Sequence, residues 1–91
     1  MSSIQLRALV ATKGPLFTVK GKAFKVEGIS SHEDIAVGTF KTKRATYTGV
    51  RCNNTRVVGS PGAEVWSILA GNGRQVTCFA VYQGAIKELA A

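Results

Sequence analysis

The residue types most often used in catalysis are few in this chain, and their spacing does not suit them to it. His32 is the only histidine, and Glu33 and Asp34 follow it directly. Adjacent side chains in a loop point in different directions, so these three residues do not form the positioned acid–base pair that proton transfer needs. Together with a cysteine they match no ligand spacing of a zinc or calcium site. We therefore expect no enzymatic activity, no metal site and no cofactor.

The two cysteines, Cys52 and Cys78, lie 26 positions apart without a C-x-x-C pair. A nucleophilic cysteine needs a nearby base, and the single histidine is not recognisably placed to serve as one. We expect two reduced, partly buried thiols, with one disulfide as the alternative. This cysteine usage and the lack of a secretory signal pattern predict a cytoplasmic protein.

Positive charge is the strongest chemical signal. Residues 1–56 contain ten of the twelve Lys and Arg and three of the five acids, so they account for the whole formal net charge of +7. Clustered cations attract polyanions, and a basic face is typical of nucleic-acid-binding domains. The alternative is that single lysines only keep a hairpin soluble and prevent edge pairing. The predicted basic surface consists of Lys20, Lys22, Lys25, Lys41, Lys43, Arg44, Arg51 and Arg56.

Aromatic residues are interleaved with these cations. Proteins that bind single strands combine cations, which contact phosphates, with rings on which bases stack. Tyr47 is the candidate stacking ring, because Arg51 falls on the same face of a strand four residues further on. A core position is an equal alternative for Tyr47, and we expect Phe17 and Phe24 to be core.

The elements that position these residues belong to one domain, 1–91, because a chain of this length supports a single core. Short β-type runs are separated by Gly, Pro and Asn. Alternation over residues 4–10 predicts a first strand. The apolar runs are too short to span a bilayer, so no membrane segment is expected.

The segment 15–29 predicts a hairpin. With Gly21-Lys22 as a type II′ turn, Val19 faces Phe24 and the apolar pairs share one face. Residues 30–34 predict a polar loop or one helical turn, with Ser30 or Ser31 as a cap.

The next segment, 36–52, predicts one long bent strand or two strands. A turn at Asn53-Asn54 would then pair Arg51 with Arg56 and Val50 with Val57.

Residues 60–73 fit two structures. A helix over 61–70 would have Ser60 as its cap, whereas a strand would pair through the Asn72-Gly73 turn. We favour the strand, which places Trp66 opposite Phe79 and Leu69 opposite Val76. The last eight residues predict a short helix or a frayed end.

These elements predict a mainly β fold. Five to seven short antiparallel strands would close into a small barrel or a two-layer sandwich, OB-like or SH3-like, which leaves few exposed edges.

The favoured function is non-sequence-specific binding of single-stranded DNA or RNA through phosphate contacts and aromatic stacking. The alternative is an interaction module that docks on an acidic protein surface. Residues 57–82 are more apolar than one sheet face requires. This surplus either forms the centre of the core or leaves a patch that a second copy covers, and we favour a homo-oligomer, most simply a dimer, joined through the C-terminal strands.

Overall fold

The computed structural model describes residues 4–32, 35–52 and 63–89. Each strand pairs antiparallel with the next along the chain, so the sheet is a meander that curls into a nearly closed barrel. The elements are α1 (Ile4–Lys13), β1 (Leu16–Val19), β2 (Lys22–His32), β3 (Ile35–Lys41), β4 (Thr46–Cys52), β5 (Glu64–Leu69), β6 (Gln75–Tyr82) and β7 (Ala85–Glu88).

The predicted fold class, a small mainly β barrel of antiparallel strands, is confirmed. The up-and-down strand order distinguishes this barrel from the Greek-key order of OB folds. Up-and-down order places alternate connections at the same end of the barrel. The turns at 20–21, 42–45 and 70–74 therefore form one end, here called the hairpin end, and α1 covers the other.

The prediction of a strand over residues 4–10 is wrong, because this segment is α1. Leu6 and Leu9 are buried and Val10 packs against the same cluster, which is the i, i+3, i+4 spacing of a helix face. The exposed Ala8 lies between them. Among the residues that the structure describes, no helix has the length and hydropathy needed to cross a membrane.

Glu64 anchors the first turn of α1. Its buried carboxylate accepts hydrogen bonds from the backbone N–H of Gln5 at 2.7 Å and of Leu6 at 3.2 Å. The Trp66 Nε1–H also donates to this carboxylate, at 3.3 Å. Free N–H groups at a helix start need such acceptors, and a negative charge suits the positive end of the helix dipole. The first turn of the helix is thereby attached to the start of β5.

The core is aromatic. Phe24, Phe40, Trp66 and Phe79 are fully buried, and Phe17 packs against them from β1. The rings of Phe40 and Trp66 have centroids 5.8 Å apart, and those of Phe40 and Phe79 are 6.1 Å apart. These separations are typical of aromatic pairs, so the interior is filled by rings in contact.

The register of the first hairpin differs from the prediction by one residue. Phe17 faces Phe24 and Val19 faces Lys22, so the turn residues are Lys20 and Gly21. Both have positive φ, 51° and 80°, as a type I′ turn requires. Such a turn matches the twist of the strands, and Lys22 is tolerated beside Val19 because its long side chain reaches solvent at the strand end.

The predicted loop or helical turn at 30–34 is wrong for Ser30 and Ser31, which belong to β2 and pair with β3. Glu33 and Asp34 lie outside the described residues. Of the two alternatives for 36–52, the structure has two strands, β3 and β4, joined by the turn at 42–45.

The predicted pairing of Val50 with Val57 is wrong, because β4 already has partners on both sides. Val50 lies between Val37 of β3 and Ser67 of β5. Arg51 faces Trp66 of β5 rather than Arg56. The predicted turn residues Asn53 and Asn54, together with Arg56 and Val57, lie outside the described residues.

The strand interpretation of residues 64–69 is confirmed, and the helix alternative is wrong for these residues. Trp66 faces Phe79 as predicted. Leu69 faces Gln75 instead of Val76, because the register shifts at Ile68/Leu69 and leaves Val76 as an extra residue on β6. The C-terminal segment is neither helix nor frayed end at 85–88, where it forms β7.

Candidate nucleic-acid interface

A groove at the hairpin end brings together residues from β2, β4 and the 42–45 turn. This basic groove has a volume of about 470 Å³. Among the described residues that line it, three are cations and none is an acid. The lining consists of Lys22, Ala23, Thr42, Lys43, Arg44 and Tyr47.

The strand register explains why Lys22 and Arg44 meet although they are distant in sequence. Lys25 of β2 faces Lys41 of β3. Continuing this antiparallel ladder by three positions places Lys22 level with Arg44. Lys22, Lys43 and Arg44 are all exposed, so their charges are available to an anionic ligand.

Thr42 fixes the turn that presents Lys43 and Arg44. Its hydroxyl oxygen accepts hydrogen bonds from the backbone N–H of Arg44 at 3.2 Å and of Ala45 at 3.1 Å. The Thr42 N–H donates to the Ala45 carbonyl at 2.9 Å and closes the loop. A threonine hydroxyl often stabilises a turn in this way. The two cations are therefore held on an ordered backbone.

Tyr47 lies between the core and the basic groove. Its ring is half-buried and packs edge-on against Phe24, with centroids 5.9 Å apart and an interplanar angle of 75°. The same residue lines the basic groove. One side of the tyrosine thus belongs to the core while the other is accessible from the groove, and stacking on a base stays a prediction.

Lys25 and Lys41 lie away from the groove, on the outer face of the sheet. They face each other across β2 and β3, and both are exposed. The Lys41 Nζ forms an ion pair with Glu27 Oε2 at 2.9 Å. This carboxylate offsets part of the positive charge on the outer face, so the structure separates these two lysines from the groove cations.

Arg51 lies further toward the helix end of the barrel. It shares the inner face of β4 with Tyr47, as predicted, but four residues of strand separate the two by about 13 Å. Arg51 faces the fully buried Trp66, and its Nε is buried. Arg51 is thus not beside the groove, and the remaining predicted residue, Arg56, lies outside the described residues.

The hairpin end also contains two further cations, Lys20 and Arg74. Lys20 was predicted, and it occupies the β1–β2 turn, where its backbone N–H donates to Glu88 Oε2 at 2.8 Å. Arg74, in the 70–74 turn, was not predicted, because residues 57–91 have no net charge and the predicted basic surface included only residues that precede them. The signal was its position directly after the Asn72-Gly73 turn.

The apolar C-terminal residues that motivated a dimer are mostly core. Trp66, Ile68, Phe79 and Val81 are fully buried inside the barrel. A second buried cluster lies on the other face of β5 and β6 and consists of Val65, Cys78, Ala80 and Leu89. Most of the described part of this apolar surplus therefore belongs to the core, and homo-oligomerisation stays a prediction. Cys52 was predicted to be a reduced, partly buried thiol, and its side chain lies outside the described part of the structure.

Comparison with family models, curated proteins and solved structures gives no match for this chain. Within residues 4–32, 35–52 and 63–89, no three His, Cys, Asp or Glu residues form a group that could hold a metal ion.

Proposed function

We propose that this protein binds single-stranded nucleic acid, DNA or RNA, through the basic groove. The observation that supports this function is that Lys22, Lys43, Arg44 and Tyr47 line one groove at the hairpin end. Cations that track a phosphate backbone and an aromatic ring that stacks a base are the two components of single-strand binding sites.

The chemistry of the groove favours recognition of the backbone over recognition of sequence. Lysine and arginine contacts to phosphate position a strand but read no base identity. Each neutralised phosphate releases counterions, so affinity falls steeply as salt rises. We expect a non-sequence-specific binder that acts without catalysis inside the cell.

The half-buried ring of Tyr47 is what favours single strands. A base can stack on this ring only when it is unstacked from its own neighbours, and bases in a duplex are not free to do so. The ring is already held by Phe24, so little conformational freedom is lost on binding.

The test is fluorescence anisotropy of labelled single-stranded DNA, single-stranded RNA and duplex DNA. The variant Lys43→Ala/Arg44→Ala is compared with Lys13→Ala/Lys87→Ala, which removes the same charge from exposed positions on α1 and β7. We expect the first variant to lose at least tenfold in single-strand affinity and the second to lose little. Equal losses would show that net charge, not the groove, determines binding. No binding to any nucleic acid at low salt would refute the function and direct the search to acidic protein partners.

A further inference from the structure

The strand register places Arg74 level with Tyr47 at the hairpin end. Thr48 of β4 faces Leu69 of β5, so the next position along this ladder puts Tyr47 beside Ala70. The Ala70 N–H in turn donates to the Arg74 carbonyl at 2.9 Å. Tyr47, Ala70 and Arg74 therefore form one row across three neighbouring strands.

The pleat of the sheet sets the side on which Arg74 lies. Ile68 is fully buried inside the barrel, so Leu69 and its partner Gln75 point outward. By the same alternation the following pair, Ala70 and Arg74, belongs to the inner side at the mouth of the barrel, beside a second cleft that Arg74 lines with Asn72 and Val76. Arg74 is exposed there.

The turn that carries Arg74 is ordered by local hydrogen bonds. The Arg74 N–H donates to Asn72 Oδ1 at 3.0 Å, and the Gly73 N–H donates to the Ala70 carbonyl at 2.9 Å. Gly73 has φ of +84°, which glycine adopts without strain. The arginine therefore extends from a defined backbone position.

We propose that a single strand crosses the hairpin end from the basic groove, over Tyr47, to Arg74, which contacts a phosphate on the far side of the stacked base. This inference rests on the proposed function and adds to its site Arg74 and a direction for the bound strand. Lys22 lies on β2, Tyr47 on β4 and Arg74 just before β6. Tyr47 is thus flanked by cations two strands away on either side.

The path is short. Four strand spacings of about 4.8 Å separate β2 from β6, and Lys22 lies four residues, about 13 Å, beyond Val26, which is the β2 residue level with Tyr47. The backbone positions of Lys22 and Arg74 are therefore about 23 Å apart along the curved sheet. This length corresponds to the lower end of known single-strand sites, about 4 nucleotides. A dinucleotide can occupy the basic groove without reaching Arg74, whereas a longer strand can contact the groove and Arg74 together.

This difference in reach defines the experiment. Binding of a labelled oligothymidylate of about eight nucleotides, beyond the shortest known sites of about four, is measured by anisotropy over a range of salt concentrations. An unlabelled dinucleotide is measured by its displacement of that strand. The proteins are the unsubstituted chain, Arg74→Ala, Arg74→Lys, Lys43→Ala/Arg44→Ala, and Lys87→Ala as a matched exposed cation on β7.

We expect Arg74→Ala to weaken binding of the longer strand by about 5- to 20-fold and to reduce the slope of log affinity against log salt by about 0.7, as loss of one phosphate contact on a single strand does. Dinucleotide binding should be unchanged. Arg74→Lys retains the charge and should retain most of the affinity, which shows that Arg74→Ala acts through charge rather than through the fold.

Two results would overturn the path. Arg74→Ala could behave like Lys87→Ala, or it could weaken the dinucleotide and the longer strand equally. In either case the groove itself is upheld if Lys43→Ala/Arg44→Ala weakens both ligands. Failure of the unsubstituted protein to bind either ligand would refute the proposed function together with the path.

Discussion

The ring of Phe40 lies directly against the α-carbon of Gly49, in the space that a side chain at position 49 would occupy. Phe40 is fully buried, contacts Trp66 and Phe79, and faces Tyr47 across β3 and β4. Phe40 thus packs the core and lies opposite the residue that lines the basic groove.

Gly49→Ala should destabilise the protein. The added methyl group overlaps three atoms of the Phe40 ring, which neighbouring rings prevent from moving away. Overpacking of this kind costs about 1 to 3 kcal/mol of unfolding free energy, which urea denaturation measures. Gly28→Ala is the matched control, because a methyl group on β2 at that position meets no atom within 4 Å. Equal stability of the two variants would contradict the packing described for Phe40.

Glu64→Gln should also destabilise the protein, by about 1 to 3 kcal/mol, since an amide replaces the charged acceptor of three hydrogen bonds. The change should alter the fluorescence of Trp66, whose indole N–H donates to this carboxylate. Glu88→Gln serves as the control, because that exposed carboxylate accepts one hydrogen bond, from Lys20. An effect of Glu64→Gln no larger than that of Glu88→Gln would contradict the anchoring of α1 through Glu64.

The fold class could be predicted from the sequence because glycine and asparagine turns separate alternating apolar runs over most of the chain. The first element could not, because apolar residues at 6, 8, 9 and 10 satisfy the period of a strand and that of a helix. The structure has a helix there, in which Leu6 and Leu9 are buried against the end of the barrel. The positive φ of Lys20 could not be predicted either, since lysine rarely adopts the left-handed conformation.

The residue types of the basic groove could be predicted from the sequence, but not which lysines and arginines line it. A side chain changes face with each residue along a strand, so one residue of register decides whether a lysine joins a groove or the outer surface. Lys22 and Arg44 meet, while Lys25 and Lys41 do not reach them. Arg74 could not be predicted from the net charge of its own sequence segment, which is zero, because the meander groups residues by the end of the barrel at which they lie.

Tyr47→Leu should weaken single-strand binding by about 1 to 3 kcal/mol, because leucine fills similar space but offers no ring for stacking. Tyr47→Phe should bind almost as well as the unsubstituted protein, since it retains the ring and its contact with Phe24. Both affinities are measured by anisotropy, and a thermal melt confirms that each variant is folded. Similar losses in both variants would mean that the hydroxyl, and not the ring, makes the contact.

Thr42→Val should reduce affinity by about 0.5 to 1.5 kcal/mol, because the turn loses the oxygen that accepts hydrogen bonds from Arg44 and Ala45. Without it, Lys43 and Arg44 are less well ordered before binding. Thr42→Ser keeps the hydroxyl and should restore the affinity. If valine binds as tightly as serine, the ordered turn plays no part in recognition.

The most direct test of the account is to map the bound strand on the protein by amide chemical shifts in NMR. On titration with a short oligothymidylate at low salt, shifts should concentrate in residues 20–23, 42–47 and 70–74, and α1 at the opposite end should remain unchanged. Raising the salt concentration should reverse the shifts. Changes centred on α1, or spread evenly over the exposed lysines, would contradict the central claim that the hairpin end holds the nucleic-acid site.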